Sequence, residues 1–263
     1  MSATPTTERV IAHRSAGTGP PELLFVHGWG GSGLYYDETI AALELDHVRA
    51  TSLDLSGHGD SPGGDDEWML ERIDDEVLSV IDAIGAERSV LLGYSMGGKF
   101  AQHFALRHPD RVSGLILVAG TQASLMEIPS EMLEGWYACA GNAEAMKELI
   151  RPFLTGTVDQ GALDRFGSEA ARASLPALQG TMRVTLDTDF SDQLASLDVP
   201  TLVIVGERDE FMTVELLRRE IASKIRGARM VVLDCGHEIP LERPRELAAL
   251  IEAFLAGLGG PHR

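Results

Sequence analysis

One stretch constrains this chain more than any other. The apolar run Ser89-Val90-Leu91-Leu92 meets Gly93-Tyr94-Ser95-Met96-Gly97-Gly98 and passes straight into Lys99-Phe100-Ala101-Gln102-His103-Phe104-Ala105-Leu106. Its first part reads as a buried strand and its last as a helix, which places Ser95 on a sharp turn between them, hydroxyl outward. Gly93 and Gly97 omit the Cβ atoms that would obstruct a strained backbone and hold strand and helix apart. A Gly-x-Ser-x-Gly sequence is weak alone: with 28 Gly and 17 Ser among 263 residues, about 0.2 matches arise by chance. Context has to come from the rest of the chain.

That context is an alternation of strands and helices. Arg9 to His13 is predicted as a short strand, and the turn residues Gly17 to Pro21 follow. Leu23-Leu24-Phe25-Val26 is a continuous apolar run that stops at His27-Gly28-Trp29-Gly30-Gly31-Ser32-Gly33, as a buried parallel strand entering a loop does. A helix is predicted from Leu34 to Leu43, a strand from Val48 to Leu53, and a loop from Asp54 to Pro62. Leu70, Ile73, Val77, Leu78, Val80, Ile81 and Ile84 then recur at helical spacing up to Gly85. His108-Pro109 ends the helix after Ser95, and Gly114 to Val118 forms another strand.

From Thr121 to Leu197 the pattern has no strand-like run, only helical patches around Met132 to Tyr137 and Met146 to Leu154, broken at Gly141, Pro152, Gly156 and Pro176. Alternation resumes with a strand at Thr201 to Val205, a helix from Val214 to Ile225, a strand at Arg229 to Leu233 and a helix from Pro244 to Leu258. The expected fold class is α/β, a mostly parallel central sheet with helices on both faces and an inserted all-helical segment. The core is expected at 1–120 and 198–263, the insertion at 121–197.

Charge and composition narrow the function. A net charge of -18 disfavours nucleic acid, anionic membranes and polyanionic substrates as partners. The polar stretch Met1 to Glu8 lacks the order of a secretory signal, and no apolar run approaches the roughly 20 residues of a membrane span. A cytoplasmic protein acting on a small molecule is expected. Cys139 and Cys235 make neither a disulfide framework nor a Cys-x-x-Cys pair and read as two reduced thiols.

A serine hydroxyl is a poor nucleophile near neutral pH and needs a base, an acid to orient that base, and donors for the developing oxyanion. The strand at Thr201 to Val205 runs into Gly206-Glu207-Arg208-Asp209, and the strand at Arg229 to Leu233 into Asp234-Cys235-Gly236-His237. In open α/β sheets ligands bind beyond the carboxyl ends of the strands, where Trp29, Ser95, Asp209 and His237 would all emerge. Asp209 is the candidate acid, with Glu207 and Glu210 as alternatives.

Five segments, His27 to Gly31, Asp54 to Ser61, Gly93 to Gly98, Gly206 to Asp209 and Gly236 to Pro244, together resemble the successive signatures of the α/β-hydrolase family, in family order. The resemblance covers the chain apart from its first residues and the insertion. It implies Ser95 as nucleophile, His237 as base and then acid, and Asp209 as the group that holds the imidazole. It also implies an oxyanion hole from the backbone N–H groups of Trp29 and Met96, and a helical cap at Thr121 to Leu197. His27 and His58 are expected to brace loops; His13, His47, His103, His108 and His262 are expected to be structural or solvated. Met132, Trp136, Tyr137, Phe153, Phe166 and Phe190 are expected to pack the cap helices, and substrate contacts are expected from Trp29, Tyr94, Trp136, Tyr137, Phe153 and Phe211.

Serine at position 95 argues against the dehalogenases and epoxide hydrolases of the family, whose nucleophile is aspartate. The resemblance implies cleavage of a small, largely apolar ester or lactone through an acyl-enzyme, with no cofactor and no metal. Carbon–carbon bond hydrolysis of a 1,3-diketone-like substrate, cofactor-free perhydrolase or haloperoxidase-like activity, and a non-catalytic binding protein on the same fold are the alternatives. A competing motif remains: Gly28-Trp29-Gly30-Gly31-Ser32-Gly33 matches Gly-x-Gly-x-x-Gly, with Asp54 where a ribose-binding acid would lie. A dinucleotide site would leave the motifs at Ser95, Asp209 and His237 without a role and place a bulky Trp against pyrophosphate.

Overall fold

A computed structural model describes residues 10–64 and 67–258. The chain begins with β1 (His13–Ala16) and β2 (Glu22–Val26), then a 3-10 turn at Gly33–Tyr36 leading into α1 (Asp37–Ala41). There follow β3 (Arg49–Leu53), α2 (Leu70–Ala83), β4 (Ser89–Tyr94), α3 (Met96–Arg107) and β5 (Val112–Val118). Four helices come next, α4 (Ser130–Tyr137), α5 (Ala143–Ile150), α6 (Gln160–Ala170) and α7 (Leu175–Asp187). The chain closes with β6 (Thr201–Gly206), α8 (Val214–Leu217), β7 (Arg229–Leu233), α9 (Ile239–Glu242) and α10 (Pro244–Leu258).

The seven strands form one sheet in the order β1-β3-β2-β4-β5-β6-β7, parallel throughout except for β1 against β3. Because successive side chains of a strand point to opposite faces, the continuous apolar runs feed two cores. Leu24, Val26, Leu91, Leu115, Leu117, Val203 and Val205 face α2, α3 and α8; Leu23, Phe25, Val90, Leu92, Ile116, Val118, Leu202 and Ile204 face α1 and α10. Helices therefore cover both faces, and the strands of the sheet centre are buried along their length. Among the described residues no helix is long and apolar enough to cross a membrane.

Three elements depart from the sequence reading. The first strand lies at His13–Ala16 rather than Arg9 to His13, with Arg9 outside the described residues. It is an edge strand whose residues are half-buried at most, so its sequence carries no apolar run to mark it. The helix expected at Leu34 to Leu43 is split into the 3-10 turn and the five-residue α1. The helix expected from Val214 to Ile225 changes after Leu217 to a π-turn at Arg218–Ala222.

The insertion between β5 and β6 is built as its punctuation dictates. Asn142, Asp159 and Ser174 each accept a hydrogen bond from the backbone N–H three residues on, starting α5, α6 and α7. Pro176 sits in the first turn of α7, where its missing N–H costs nothing. Among the polar ties that fasten these helices to the sheet layer, the Trp29 indole donates to the Leu178 carbonyl at 2.9 Å, and Lys99 of α3 reaches the segment from below.

Candidate active site

The turn at Ser95 is strained as its sequence requires, with φ 49° and ψ -121°. A non-glycine residue there costs about 1–3 kcal/mol and persists only where surroundings hold it. The glycines are needed for close approach. A Cβ on Gly97 would lie 2.3 Å from the Val26 carbonyl oxygen, and one on Gly93 would lie 2.3 Å from that of Gly97. Strand β2, strand β4 and helix α3 thus converge tightly beneath the serine.

His237 lies between Ser95 and Asp209. Its Nε2 is 3.0 Å from Ser95 Oγ and its Nδ1 is 2.7 Å from Asp209 Oδ2. The other carboxylate oxygen, Asp209 Oδ1, accepts the backbone N–H groups of Phe211 at 2.9 Å and Met212 at 2.8 Å. Burial alone would raise the Asp209 pKa, but the His237 charge and these hydrogen bonds bring it below its ordinary value. For His237 burial works downward, and the charge and hydrogen bond of Asp209, helped by Glu238 and Glu242, carry its pKa above 6.5. With Asp209 ionised, Nδ1 carries the proton, leaving Nε2 free to accept one from Ser95. Glu207 and Glu210, the alternative acids, make no such contact.

The His27 to Gly33 loop flanks the serine. The His27 Nε2 accepts the Leu55 N–H at 3.0 Å, so its Nδ1 carries the proton and donates to the Gly28 carbonyl at 2.8 Å. Burial pushes this imidazole down to about 4, and His58 beside it to about 3, so both are neutral braces. Asp54 braces the same loop through its carboxylate, Oδ1 accepting the Gly33 N–H at 2.6 Å and Oδ2 the Asp60 N–H at 2.8 Å. The carboxylate that the dinucleotide motif would assign to a ribose is committed to loop amides.

Above Ser95 lies a cavity reaching from the sheet edge to the inserted helices. Gly28, Trp29, Ser95, Met96 and His237 form its floor side, and Trp136, Phe153 and Phe166 come from the insertion. Of the sequence-predicted contacts, Trp29, Tyr94, Trp136, Phe153 and Phe211 border it. Tyr137 does not: it lies one position past Trp136 on α4 and turns its ring onto Trp29, centroids 6.2 Å apart. Met132 is about half exposed, and Phe190 packs edge-on to His103 at 5.1 Å, outside the cavity. Phe211 and Phe153 both pack on the His237 ring, at 5.9 and 6.0 Å, and hold its plane.

Among the wall residues that escape the sequence reading are Tyr35 and Glu238. Tyr35 sits in the 3-10 turn where an ordinary helix is predicted, and Glu238 adjoins His237 within a motif that gives a role to the histidine alone. Neither carries a periodic or spacing signal.

Comparison with known proteins shows the family of this fold. Residues 21–244 match the family described as alpha/beta hydrolase fold. The pimeloyl-(acyl-carrier protein) methyl ester esterase of Aeromonas hydrophila is 29% identical over 261 residues, covering 89% of this chain and 95% of the relative. The enzyme of that name from Vibrio campbellii is 31% identical over 220 residues, covering 77% of this chain and 82% of the relative. The crystal structure of a hydrolase from Pseudomonas aeruginosa PA01 superposes with a TM-score of 0.78 at 29% identity, covering 93% of this chain and 94% of that one. A parallel sheet with helices on both faces, a serine on the β4–α3 turn and a match over most of its length lead to one conclusion: the chain belongs to the α/β-hydrolase fold family.

Proposed function

We propose that the protein is a serine hydrolase that cleaves small, largely apolar carboxylic esters or lactones through an acyl-enzyme on Ser95. The observation that carries this reading is His237 held between Ser95 Oγ at 3.0 Å and Asp209 Oδ2 at 2.7 Å, at the floor of a mainly apolar cavity. The curated relatives that are named as methyl ester esterases support it.

In this mechanism His237 Nε2 takes the Ser95 proton as Oγ attacks the ester carbonyl, and Asp209 stabilises the imidazolium. The tetrahedral oxyanion is received by the N–H groups of Trp29 and Met96. Met96 N–H is free to do so because it opens α3, where the first N–H groups have no partner within the helix. The His27 brace on Gly28 keeps the Trp29 peptide in place. His237 then protonates the departing alcohol and activates water to release the acid. The segment 121–197 acts as a cap that selects the substrate.

The relatives' substrate is not carried over. Between Thr121 and Leu197 this chain has eleven acidic residues against five basic ones. Lys147, Arg151, Arg165 and Arg172 are each already paired with a carboxylate. A free small ester suits such a rim better than one delivered on an acidic carrier protein.

Hydrolysis of p-nitrophenyl esters and lactones, with Ser95→Ala as control, tests the reading. Turnover by the wild type and loss of at least about 10³-fold in the variant are expected; equal rates would refute it. Because neutral His237 is the base, kcat/KM falls as the pH drops through its pKa. The acid limb is therefore expected above pH 6.5, the ordinary imidazole value, and a pH–rate profile reads it directly.

A further inference from the structure

The cavity holds a carboxyl that acyl transfer leaves unused. Glu238 is only 4% exposed. Its Oε2 accepts the Tyr94 hydroxyl at 2.8 Å and also the Tyr35 hydroxyl. The two tyrosine rings stack at 5.1 Å, and Tyr35 is wedged edge-on against Phe166 at 5.5 Å, so both hydroxyls are fixed. All three residues border the same cavity as Ser95 and His237. Glu238 Oε1 makes no hydrogen bond with any described group, nor is it among the polar atoms wholly shut off from open space.

A buried carboxyl is costly unless each oxygen finds a partner. Were its role only to fasten the tyrosines, one oxygen would suffice, and an apolar wall with two phenylalanines would be cheaper. The remaining oxygen therefore marks where a ligand supplies the missing partner. Among the described residues no lysine or arginine borders the cavity, so a ligand carboxylate would meet Glu238 with no permanently charged cation beside it. A hydroxyl is suited in either ionisation state, donating to a carboxylate oxygen or accepting from a carboxylic acid. That versatility matters here, since burial raises the Glu238 pKa while His237 and the two tyrosine hydroxyls oppose the rise.

We infer that Glu238, clamped through Oε2 by Tyr35 and Tyr94, presents Oε1 to a hydroxyl group of the substrate, so that hydroxylated esters are preferred over their unsubstituted parents. The inference rests on the ester-hydrolase reading and gives its substrate class a polar mark. Glu238 is thereby a specificity-determining residue, and the aromatic wall supplies the apolar contact.

The test uses methyl esters of straight-chain acids of four to eight carbons, each with and without one hydroxyl at successive positions of the acyl chain. Hydroxyalkyl esters of the parent acids and half-esters ending in a carboxylate complete the set; acid release is followed by pH-stat. At least one hydroxylated isomer is expected to exceed its parent tenfold or more in kcat/KM, and the half-esters to fall tenfold below it. Glu238→Leu is expected to bring the hydroxyl preference to within twofold. Glu238→Gln, which keeps an oxygen for the tyrosines and an amide N–H for the ligand, is expected to retain part of that preference and to accept half-esters better.

A wild-type preference below twofold for every hydroxylated isomer overturns the inference, as does a preference that survives Glu238→Leu. Should the leucine variant fail to fold, unchanged discrimination against half-esters in Glu238→Gln overturns it alone. Absence of turnover of any ester, together with an unlabelled Ser95 in a fluorophosphonate reaction, would instead defeat the hydrolase reading and the inference with it.

Discussion

Replacing Asp209 with asparagine is expected to lower kcat about 10⁴-fold with little change in KM. The expectation follows from which carboxylate oxygen is already committed. Oδ1 accepts two backbone N–H groups, from Phe211 and Met212, so in the variant the amide carbonyl takes that place. The amide N–H then occupies the position of Oδ2, 2.7 Å from His237 Nδ1, where it meets a donor. The imidazole can satisfy it only by moving its own proton to Nε2, which turns a donor toward Ser95 and removes the base. Steady-state kinetics on any turned-over ester measures the effect. Near-normal kcat would reassign the acid to Glu207 or Glu210.

The second large effect concerns stability. Lys99 is fully buried on α3, one turn past the serine. Its Nζ donates to the carbonyls of Ser124 at 3.0 Å, Thr185 at 2.7 Å and Thr188 at 2.6 Å. Those carbonyls belong to the two ends of the inserted segment, so one ammonium closes the loop from which the inserted helices spring. Burial pulls its pKa down to about 8 against the nearby Asp189 and Asp187. Lys99→Met keeps the length of the side chain and removes every donor. Three stranded acceptors at about 1–3 kcal/mol each, partly relieved by water at the two less buried ones, amount to about 4 kcal/mol. Chemical denaturation reads that loss, and a change under about 1 kcal/mol would mean the carbonyls find other partners.

The fold is legible in the sequence because its central strands are buried on both faces and α2 on one. Leu23 to Val26 and Val90 to Leu92 admit no polar residue, while α2 repeats its apolar positions at helical spacing. The bounds of β1 are not legible, because an edge strand needs no apolar run. Likewise the breaks at Tyr36 and Leu217 come from how short segments seat on the sheet, which spacing does not encode.

The site divides in the same manner. Ser95, Asp209 and His237 each follow a strand that the sequence marks, and parallel strands deliver their ends to one edge. The cavity wall obeys no such rule. Trp136 borders it and Tyr137 turns away from it, a difference set by the rotation of α4, and Glu238 enters through partners 203 and 144 residues distant in the chain. The order of the proposed triad is local to strand ends; the cavity wall is assembled from distant segments.

The most direct measurement is intact-protein and peptide mass spectrometry after reaction of the folded protein with a fluorophosphonate. The proposed chemistry predicts one adduct per chain, on Ser95, absent from Ser95→Ala and slowed by orders of magnitude in His237→Ala. A folded wild-type protein that stays unlabelled, or carries its adduct on another residue, would contradict it.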